Sequence, residues 1–551
     1  MMKRKIIFTC LICFLAVLFV ACNANDGGEN TTDTSEVNDN GGETDTTDDA
    51  GTANEEFFEF EFYANYEWFD TAPVWGNDLV SAYMRDRFNI GVRLSSPDID
   101  ADQMMGIMIA AGDLPDVMMI ERDSVLQQLV ELDLLLPLDE FLPGSNYANA
   151  IDESTINLAR IDGQVYGMLN WPTNVANGNG GWIINRSIWE ELGEPPLETT
   201  DQILDYLIMV RDANITVDGA PIVPMQFGHS EAIYQLTLNS FGINMSDNGL
   251  VENNGSLELY LNMPEAEDAL LWLNTLWNEG LINSDHFVES SEQITEKMAT
   301  GRFAVYAGHD VAAAIGEEVR PVFLENNPDN EFMVINPPAA PGVATEDVMN
   351  SRWSSLGWNK IVITRNAENP ERIFELLDFI VSREGQTLTY HGPQGELWDE
   401  LDADGFPILN RTTDDLTVEE RENLGGDIRW TLVGDAGNTA LMDRAVLDRI
   451  PRDQWSWRNT VQQDIIWNHS LNVDAFLNMH LDTLSSEGIA LNTFMDLNEQ
   501  HIPNIVTASN HDAARAAIQT AIDAIYSQNF ELVEEALTEV WRNNIETMSG
   551  N

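Results

Sequence analysis

Tryptophans in loop-like stretches, with polar side chains near them, are the residues of this sequence best suited to hold a ligand. The chain has 15 tryptophans. Four lie where core packing explains them poorly: Trp75 in "TAPVWGND", Trp171 in "LNWPTN", Trp353 in "NSRWSSLGW" and Trp398 in "GPQGELW". An indole face covers apolar C–H groups, while amides and carboxylates hydrogen-bond hydroxyls. Such residues could line a ligand site, although packing is the simpler interpretation of any single tryptophan.

Motifs for covalent catalysis are weak in this chain. "GHSEA" (228–232) differs from the Gly-x-Ser-x-Gly nucleophile elbow at its last position. The sequence has no His-Glu-x-x-His and no Gly-Lys-Ser/Thr, and "NGNGGW" lacks the flanking strand and helix of a dinucleotide turn. The 92 acidic residues leave a glycosidase carboxylate pair open. We therefore predict that the protein is not an enzyme, with a surface glycosidase as the enzyme alternative and a passive adhesin as the structural one.

One stretch has the residue spacing of a calcium loop. "RDANITVDG" carries Asp212, Asn214, Thr216 and Asp218 at alternate positions, as oxygen ligands that wrap calcium do. The chain continues with "APIVP", so the closing acidic ligands are missing, and "DADG" (402–405) is incomplete in the same way. These patterns favour solvated turns and keep calcium as the alternative. No other cofactor is predicted.

The elements that must position these residues alternate between strand and helix. "FFEFEFY" (57–63) alternates apolar residues with Glu and predicts a strand, and "NDLVSAYMRDRFNI" (77–90) has helical spacing. Strand "GVRLSS", helix "DADQMMGIMIAAGD" and strand "LPDVMMI" follow, a βαβ order that predicts a largely parallel sheet. A second α/β region runs from about 173 to 351, and the chain is mostly helical from about 468.

The first residues predict export and a lipid anchor. Lys3, Arg4 and Lys5 precede the apolar run 6–20, which is short for a membrane span. Phe19-Val20-Ala21-Cys22 resembles a bacterial lipobox, although Leu18 lies one place too early for its preferred leucine. This predicts a signal peptide at 1–21 and lipidation at Cys22, with an ordinary signal peptide or a membrane anchor as the alternative. Since Cys10 and Cys13 would be removed, no free thiol would remain.

Charge and length bound the remaining functions. Residues 22–55 are acidic and poor in apolar side chains, which predicts a disordered linker. The net charge is −65, and nucleic acid and anionic membrane surfaces need positive charge on the protein, so both are poor partners and no nucleic-acid binding is predicted. The acidity favours adaptation to a salty or an alkaline habitat, with a cation-binding role as the alternative. Roughly 500 residues after the linker predict two lobes or domains.

Several segments, in order, resemble the extracellular solute-binding proteins of bacterial ABC importers, in particular their sugar-binding lipoprotein branch. "AAGDLPDVMMI" (110–120) is similar to the family's Ser-Gly-x-x-Pro-Asp segment, and "LLPLDEF" follows it. "IDGQVYGML" (161–169) resembles Asp-Gly-Lys-x-Tyr-Gly-x-Pro, with Gln164 in place of the lysine. "INRSIWEELGEPPLETTDQIL", "MATGRFAVYAG" and "YHGPQGELW" (390–398) are similar to three later segments. Each match is weak alone, whereas their order is fairly specific.

The resemblance implies a type II periplasmic-binding-protein fold, in which two α/β lobes with a hinge close on a solute in a central cleft. By analogy, one lobe takes residues 56–172 plus 356–395 and the other takes 173–355 plus 396–551. It also implies a monomer that is lipid-anchored at the extracellular face of the cell membrane and delivers a carbohydrate, in particular an oligosaccharide, to ABC permease subunits. A peptide or another solute is the alternative ligand.

Two of the tryptophans lie near the implied crossings between the lobes. Trp171 lies near the expected first crossing, and Trp353 lies just before the expected return crossing. A site that lines the cleft would combine such aromatic faces with polar partners. The predicted ligand-binding residues are Trp75, Trp171, Asn174, His309, Arg352, Trp353, Gln394 and Trp398.

Overall fold

The computed structural model describes residues 56–67, 69, 71–217, 219–228, 231–412, 416–425, 447, 450–482 and 484–548. The predicted signal peptide, the lipidation site Cys22 and the linker 22–55 lie outside these residues. The described chain forms two α/β lobes, each built around its own sheet and hydrophobic core. The predicted two-lobed α/β architecture is confirmed. The lobe boundaries at individual residues stay predictions.

The first lobe contains a five-stranded sheet. Its strands are β1 (Phe58–Ala64), β2 (Ile90–Ser95), β3 (Val117–Ile120), β4 (Met168–Asn170) and β14 (Asn359–Ile363). Their order across the sheet is β2-β1-β3-β14-β4. β1 runs parallel to β2 and β3, whereas β14 runs antiparallel to both of its neighbours. The predicted βαβ pattern is therefore the first half of this sheet.

Helices cover both faces of the first sheet. Val117 and Met119 of β3 pack into one apolar cluster, and Met118 and Ile120 pack into another on the opposite face. This double burial explains why β3 is a continuous apolar run and does not alternate. The helices of this lobe are α1 (Leu79–Phe88), α2 (Ala101–Ala111), α3 (Ser124–Glu131), α4 (Asn146–Ala150), α5 (Glu153–Leu158), α12 (Pro370–Val381) and α13 (Arg383–His391).

The second lobe contains a four-stranded sheet. Its strands are β5 (Gly181–Asn185), β8 (Val223–Phe227), β11 (Phe303–Gly308) and β12 (Phe332–Ile335), in the order β12-β5-β11-β8. β5 runs antiparallel to β11 and β12, while β11 runs parallel to β8. In each lobe, the antiparallel strand is the first one that the chain forms after it arrives from the other lobe.

Helices from the middle and the end of the chain build the second lobe. They include α6 (Arg186–Glu191), α7 (Thr200–Ala213), α8 (Ala232–Ser240), α9 (Pro264–Asn278), α10 (Ser291–Ala299), α11 (Arg320–Asn326), α15 (Trp457–Asp464), α16 (Ser486–Val506), α17 (His511–Tyr526) and α18 (Glu531–Met548). A π-helical segment spans Val311–Val319. Apolar residues of α16, α17 and α18 complete the large core beneath β5, β8 and β11. Within the described residues, none of the helices has the length and apolar character to cross a bilayer.

Three short hairpins and one helix lie outside the two main sheets. Three two-stranded hairpins pair β6 (Thr216–Val217) with β7 (Ala220–Pro221), β9 (Leu250–Asn253) with β10 (Ser256–Leu259), and β15 (Trp398–Leu401) with β16 (Pro407–Leu409). Helix α14 (Val418–Leu424) follows the last hairpin. Leu397, Leu416 and Leu424 form a small cluster against Leu79 of α1, so this part of the chain contacts the first lobe.

Three segments lie side by side where the lobes join. Residues 171–180 connect β4 to β5, and residues 350–358 lead back to β14 and contain the short strand β13 (Ser351–Trp353). The third segment contains β17 (Ser470–Asn472), which pairs in parallel with β13. Thr173 N donates to the Ser355 carbonyl at 3.2 Å, and Ser355 N donates to Asp474 Oδ1 at 2.8 Å. The joint therefore consists of short segments that backbone and side-chain hydrogen bonds connect.

A lysine is buried inside the first lobe. Lys360, in β14, is 2% exposed, and its Nζ donates to the Ala159 carbonyl at 2.9 Å. Burial, aided by the neighbouring Arg122 charge, lowers the pKa of Lys360 to about 7. A lysine in the unfolded chain titrates near 10.4. The unfolded state therefore binds more protons than the folded state between about pH 7 and about pH 10, and stability rises with pH across this window.

We expect Lys360→Met to flatten this pH dependence. The substitution removes the buried amine and keeps an unbranched side chain of similar length, at the cost of the hydrogen bond to Ala159. We expect the free energy of unfolding to rise by about 1–3 kcal/mol near neutral pH, because removing a buried charge is often stabilising, and to change little above about pH 10. Urea denaturation at several pH values measures both. An unchanged pH slope in the variant would show that Lys360 does not set it.

Candidate functional site

The carboxyl edge of the first sheet carries polar and aromatic side chains next to the crossings. β1 and β3 run parallel, so Tyr66 and Glu121, which follow their ends, lie at one edge. β14 runs in the opposite direction, so Asn359 and the preceding Trp358 lie at the same edge. Ligands of open α/β sheets bind outside the carboxyl ends of the parallel strands. We take this edge as the core of the candidate site.

These side chains form one hydrogen-bonded network. Tyr66 OH donates to Glu121 Oε1 at 2.7 Å, and Trp358 Nε1 donates to the same oxygen at 3.1 Å. Asn359 Nδ2 donates to Tyr66 OH at 2.9 Å, and Asn170 Nδ2 donates to Asn359 Oδ1 at 2.8 Å. The Tyr66 and Trp358 rings lie 5.1 Å apart at an angle of 40°. The network holds an aromatic pair and a carboxylate in a fixed relation.

Burial is graded along this network. Asn170 and Asn359 are fully buried, Tyr66 and Glu121 are half-buried, and Trp358 is 36% exposed. Burial raises the pKa of Glu121, although the hydrogen bonds from Tyr66 and Trp358 oppose this. Burial, followed by the Glu121 charge, also raises the pKa of Tyr66. The phenol therefore stays protonated and remains a donor, and the indole presents a face to solvent.

Close backbone contacts set the position of Trp358. The backbone N–H of Trp358 donates to the Asn170 carbonyl at 2.9 Å. This bond ties the second crossing to the end of β4, where the first crossing begins. Arg122 Nη2 donates to the Gly357 carbonyl at 2.6 Å. Gly357 has φ 70°, and a Cβ at this position would lie 2.3 Å from the Asn170 carbonyl oxygen and 2.4 Å from that of Trp171. Only glycine fits such an approach without displacing backbone.

The second lobe contributes a polar edge of its own. His309 and Asp310 follow the end of β11, and His309 is exposed. His309 Nε2 shares a hydrogen bond of 2.9 Å with Gln235 Oε1, and Tyr306 OH donates to Asp310 Oδ1 at 2.6 Å. Of the residues of "GHSEA", His229 and Ser230 lie outside the described chain.

The structure brings four of the predicted residues to the crossings. Trp171 has a left-handed φ of 61°, which is rare for a bulky residue and marks a constrained position. Its ring contacts that of Tyr390 edge-on at 6.4 Å. Asn174 is exposed on the same crossing, and Arg352 and Trp353 are half-buried in β13 on the second crossing. Their roles in binding stay predictions.

Arg352 is held inside the second lobe. Its guanidinium contacts the Asp247 carboxylate and the Met245 carbonyl. These contacts anchor the second crossing to the loop before β9.

The other predicted tryptophans lie in different surroundings. Trp75 packs against the first-lobe core, and its Nε1 donates to the Ile90 carbonyl at 2.9 Å. Ile90 begins β2, so Trp75 lies at the amino edge of the sheet, opposite the crossings. Trp398 Nε1 donates to the Gly392 carbonyl at 3.0 Å, and Gln394 Nε2 donates to the Asp399 carbonyl at 2.6 Å. Gln394, in the loop after α13, and Trp398, at the start of β15, are thus both held by local contacts.

The described calcium candidates run from Asp212, in the last turn of α7, through the helix cap Asn214 to a short hairpin. Asp212 Oδ1 contacts the Arg211 guanidinium at 2.8 Å, and Asn214 Nδ2 donates to the Asp212 carbonyl at 2.9 Å. Thr216 begins β6, and Asp218 lies outside the described residues. Where the chain is described, no group of three or more His, Cys, Asp or Glu side chains is arranged to hold a metal ion.

Tyr66, Glu121 and Trp358 were absent from the predicted set. Each has a signal in the sequence: Tyr66 follows the strand "FFEFEFY", Glu121 follows "LPDVMMI", and Trp358 ends "NSRWSSLGW". The rule that side chains after parallel strands converge at the carboxyl edge would have selected the first two. The same rule does not select Trp358, because the sequence does not show that β14 enters the sheet in the opposite direction.

Comparison with known sequences gives a family match and a distant relative. The family model described as bacterial extracellular solute-binding protein matches residues 76–387. "Lipoprotein LipO" of Bacillus subtilis (strain 168) is 23% identical over 341 residues, which are 59% of this chain. The match spans 64% of the length of LipO.

Solved structures with a similar fold cover most of the chain. An extracellular solute-binding protein from Bifidobacterium longum subsp. infantis has a TM-score of 0.64 at 16% identity, covering 91% of this chain and 100% of its own. The alginate-binding protein AlgQ2 without calcium ion has a TM-score of 0.60 at 16% identity, covering 90% and 99%. The S. pneumoniae substrate-binding protein FusA in complex with kestose has a TM-score of 0.60 at 16% identity, covering 88% and 100%. This likeness shows the fold.

Proposed function

The chain belongs to the bacterial extracellular solute-binding proteins, and on this premise we propose that it is a lipid-anchored receptor of an ABC importer. It binds a carbohydrate, in particular an oligosaccharide, between its two lobes and delivers it unaltered to membrane permease subunits. The observation that carries the proposal is the network at the carboxyl edge of the first sheet, where Tyr66 and Trp358 lie beside Glu121.

The chemistry of this network suits a sugar. The partly exposed Trp358 ring offers an apolar face to sugar C–H groups, and a carboxylate accepts hydrogen bonds from hydroxyls through both oxygens. The site adjoins the crossings, so movement of the hinge would bring the His309 edge of the second lobe toward the bound solute. Similarly folded proteins that bind alginate and kestose support a glycan as the ligand class.

The anchor part of the proposal rests on the amino-terminal sequence. Cys22 and the residues before it resemble a lipobox. A relative described as a lipoprotein supports this assignment. Each buried CH₂ of an acyl chain contributes about 0.8 kcal/mol of membrane-binding free energy, so the lipid would hold the receptor at the extracellular face of the membrane. The acidic linker would separate the lobes from the membrane surface. We propose that the receptor acts as a monomer.

Calcium is the alternative cofactor that the sequence leaves open. The similarly folded AlgQ2 is described as a structure without calcium ion. In this chain the Asp212 carboxylate is paired with Arg211, and the Asn214 amide faces a carbonyl. The described residues of this loop therefore do not fit the ion as they stand, and no step of the proposed function depends on it.

We expect calorimetry with a panel of oligosaccharides to find at least one that binds with a micromolar or tighter dissociation constant. Product analysis after prolonged incubation should recover the sugar unchanged. Release of monosaccharide would instead establish the glycosidase alternative. Absence of binding across glycans, with binding of a peptide panel, would assign the receptor to a different solute.

A further inference from the structure

The positively charged groups near the site are held by internal partners. Arg122, which follows Glu121, directs its guanidinium to the Gly357 carbonyl at 2.6 Å and the Trp358 carbonyl at 3.4 Å. Arg352, on the second crossing, contacts the Asp247 carboxylate and the Met245 carbonyl. The Nη2 group of Arg122 and both Nη groups of Arg352 are thus occupied by groups of the protein.

The negatively charged groups at the same edges are turned toward neutral donors. Glu121 accepts hydrogen bonds from Tyr66 OH at 2.7 Å and Trp358 Nε1 at 3.1 Å, and Asp310 accepts one from Tyr306 OH at 2.6 Å. Among the ion pairs of the described residues, none includes Glu121 or Asp310. Each lobe thus carries at its edge a carboxylate that forms no salt bridge among the described residues, and the neighbouring Arg122 charge favours the ionised form of Glu121.

We infer that the site selects uncharged glycans against carboxylated ones, and that Glu121 is the residue that enforces this selection. This inference rests on the proposed function, because it names the charge class of the solute that the same site binds. A sugar hydroxyl can donate to Glu121 and gains from its charge. A uronate carboxylate at the same position would face a like charge in a partly desolvated setting, where repulsion is screened less than in open solvent.

Glu121 differs in position from the acidic residues that cover the exposed surface. Acidic residues spread over the exposed surface repel any anionic ligand from a distance, and salt screens this repulsion over about one Debye length. Glu121 is half-buried and lies 3.1 Å from the Trp358 indole on which a sugar would stack, so it acts on the stacked residue directly. Its effect should therefore persist at moderate salt, and a single substitution should remove it.

Matched pairs of tetrasaccharides test the inference in the wild-type protein. The pairs differ only at C6: β-1,4-mannan against β-1,4-mannuronan, cellulose against β-1,4-glucuronan, and α-1,4-galactan against α-1,4-galacturonan fragments. We expect the neutral member of any pair that binds to bind at least about tenfold tighter than its uronate. A uronate that binds as tightly as its neutral partner overturns the inference and leaves the proposed function standing. Binding of neither member in all pairs overturns the inference, and the wider glycan and peptide panels then decide the proposed function.

The variant Glu121→Gln separates charge from shape. The amide keeps an acceptor oxygen for Tyr66 and Trp358 and loses the negative charge. We expect its preference for the neutral member to fall at least about fivefold. The matched control Glu539→Gln makes the same charge change on an exposed position of α18 and should leave the preference unchanged. An unchanged preference in Glu121→Gln, or an equal fall in both variants, would assign the selection to other groups.

Discussion

Replacing Trp358 by alanine is expected to weaken solute binding by about 100-fold, a loss of about 2–3 kcal/mol of binding free energy. Trp358 is 36% exposed at the edge of the first sheet, and its Nε1 donates to Glu121 at 3.1 Å. The substitution removes the apolar face on which a sugar ring would lie, and it also removes a donor that orients the carboxylate. Titration calorimetry with whichever neutral glycan the wild-type protein binds measures the loss.

Two further variants show which property of Trp358 matters. Trp358→Phe keeps an aromatic face and loses the Nε1 donor, so we expect an intermediate loss of about tenfold. Trp75→Phe makes the same chemical change at the opposite edge of the sheet, where Nε1 donates to the Ile90 carbonyl, and should leave the affinity unchanged. If Trp358→Ala kept wild-type affinity while Trp171→Ala or Trp353→Ala lost it, the binding face would belong to the crossings.

Gly357→Ala is expected to destabilise the protein by about 2–4 kcal/mol, the largest effect that we expect from one methyl group. A Cβ at this position would lie 2.3 Å from the Asn170 carbonyl oxygen, and backbone cannot yield as a flexible side chain can. The φ of 70° adds a conformational cost of about 1 kcal/mol for any residue with a Cβ. Because Gly357 immediately precedes Trp358, the displaced crossing should also weaken solute binding.

Gly193→Ala is the matched control for this substitution. Gly193 has φ 86° after the end of α6, and a Cβ there would meet nothing within 4 Å. It therefore incurs the conformational cost alone, and the difference between the two variants measures the steric contact at the crossing. Urea unfolding of both variants gives this difference. Equal destabilisation would mean that the crossing can move apart freely, which would contradict a close-packed joint.

The amino-acid sequence determined the elements of both lobes and their order. Strand β1, helix α2 with its end at Gly112, and strand β3 lie where periodicity and turn residues predict them. Helix α12 begins at Pro370 after Asn369, as its start signal predicts. These features depend on neighbours within a few residues, so a linear pattern is sufficient to specify them. The order of the motifs also indicated the family.

The composition of the candidate site was decided by tertiary structure. Tyr66 hydrogen-bonds Asn359, which is 293 positions away, and Trp358 hydrogen-bonds Glu121 across 237 positions. No local pattern marks such partners, because their proximity follows from the order of strands in the sheet and from the direction in which β14 enters it. Among the predicted tryptophans, Trp171 and Trp75 look alike in sequence, yet one lies on a crossing and the other at the opposite edge.

Burial likewise depends on contacts that the sequence does not display. Lys360 stands in "NKIVI", where the apolar run predicts a strand, and only the sheet places its amine within reach of the Ala159 carbonyl. Short-range preferences thus determined what each segment is, since they act through adjacent backbone and side chains. The packing of distant segments decided which polar groups contact one another and which of them are protonated. Desolvation and hydrogen bonding, which set the pKa of a group, depend on its neighbours in three dimensions.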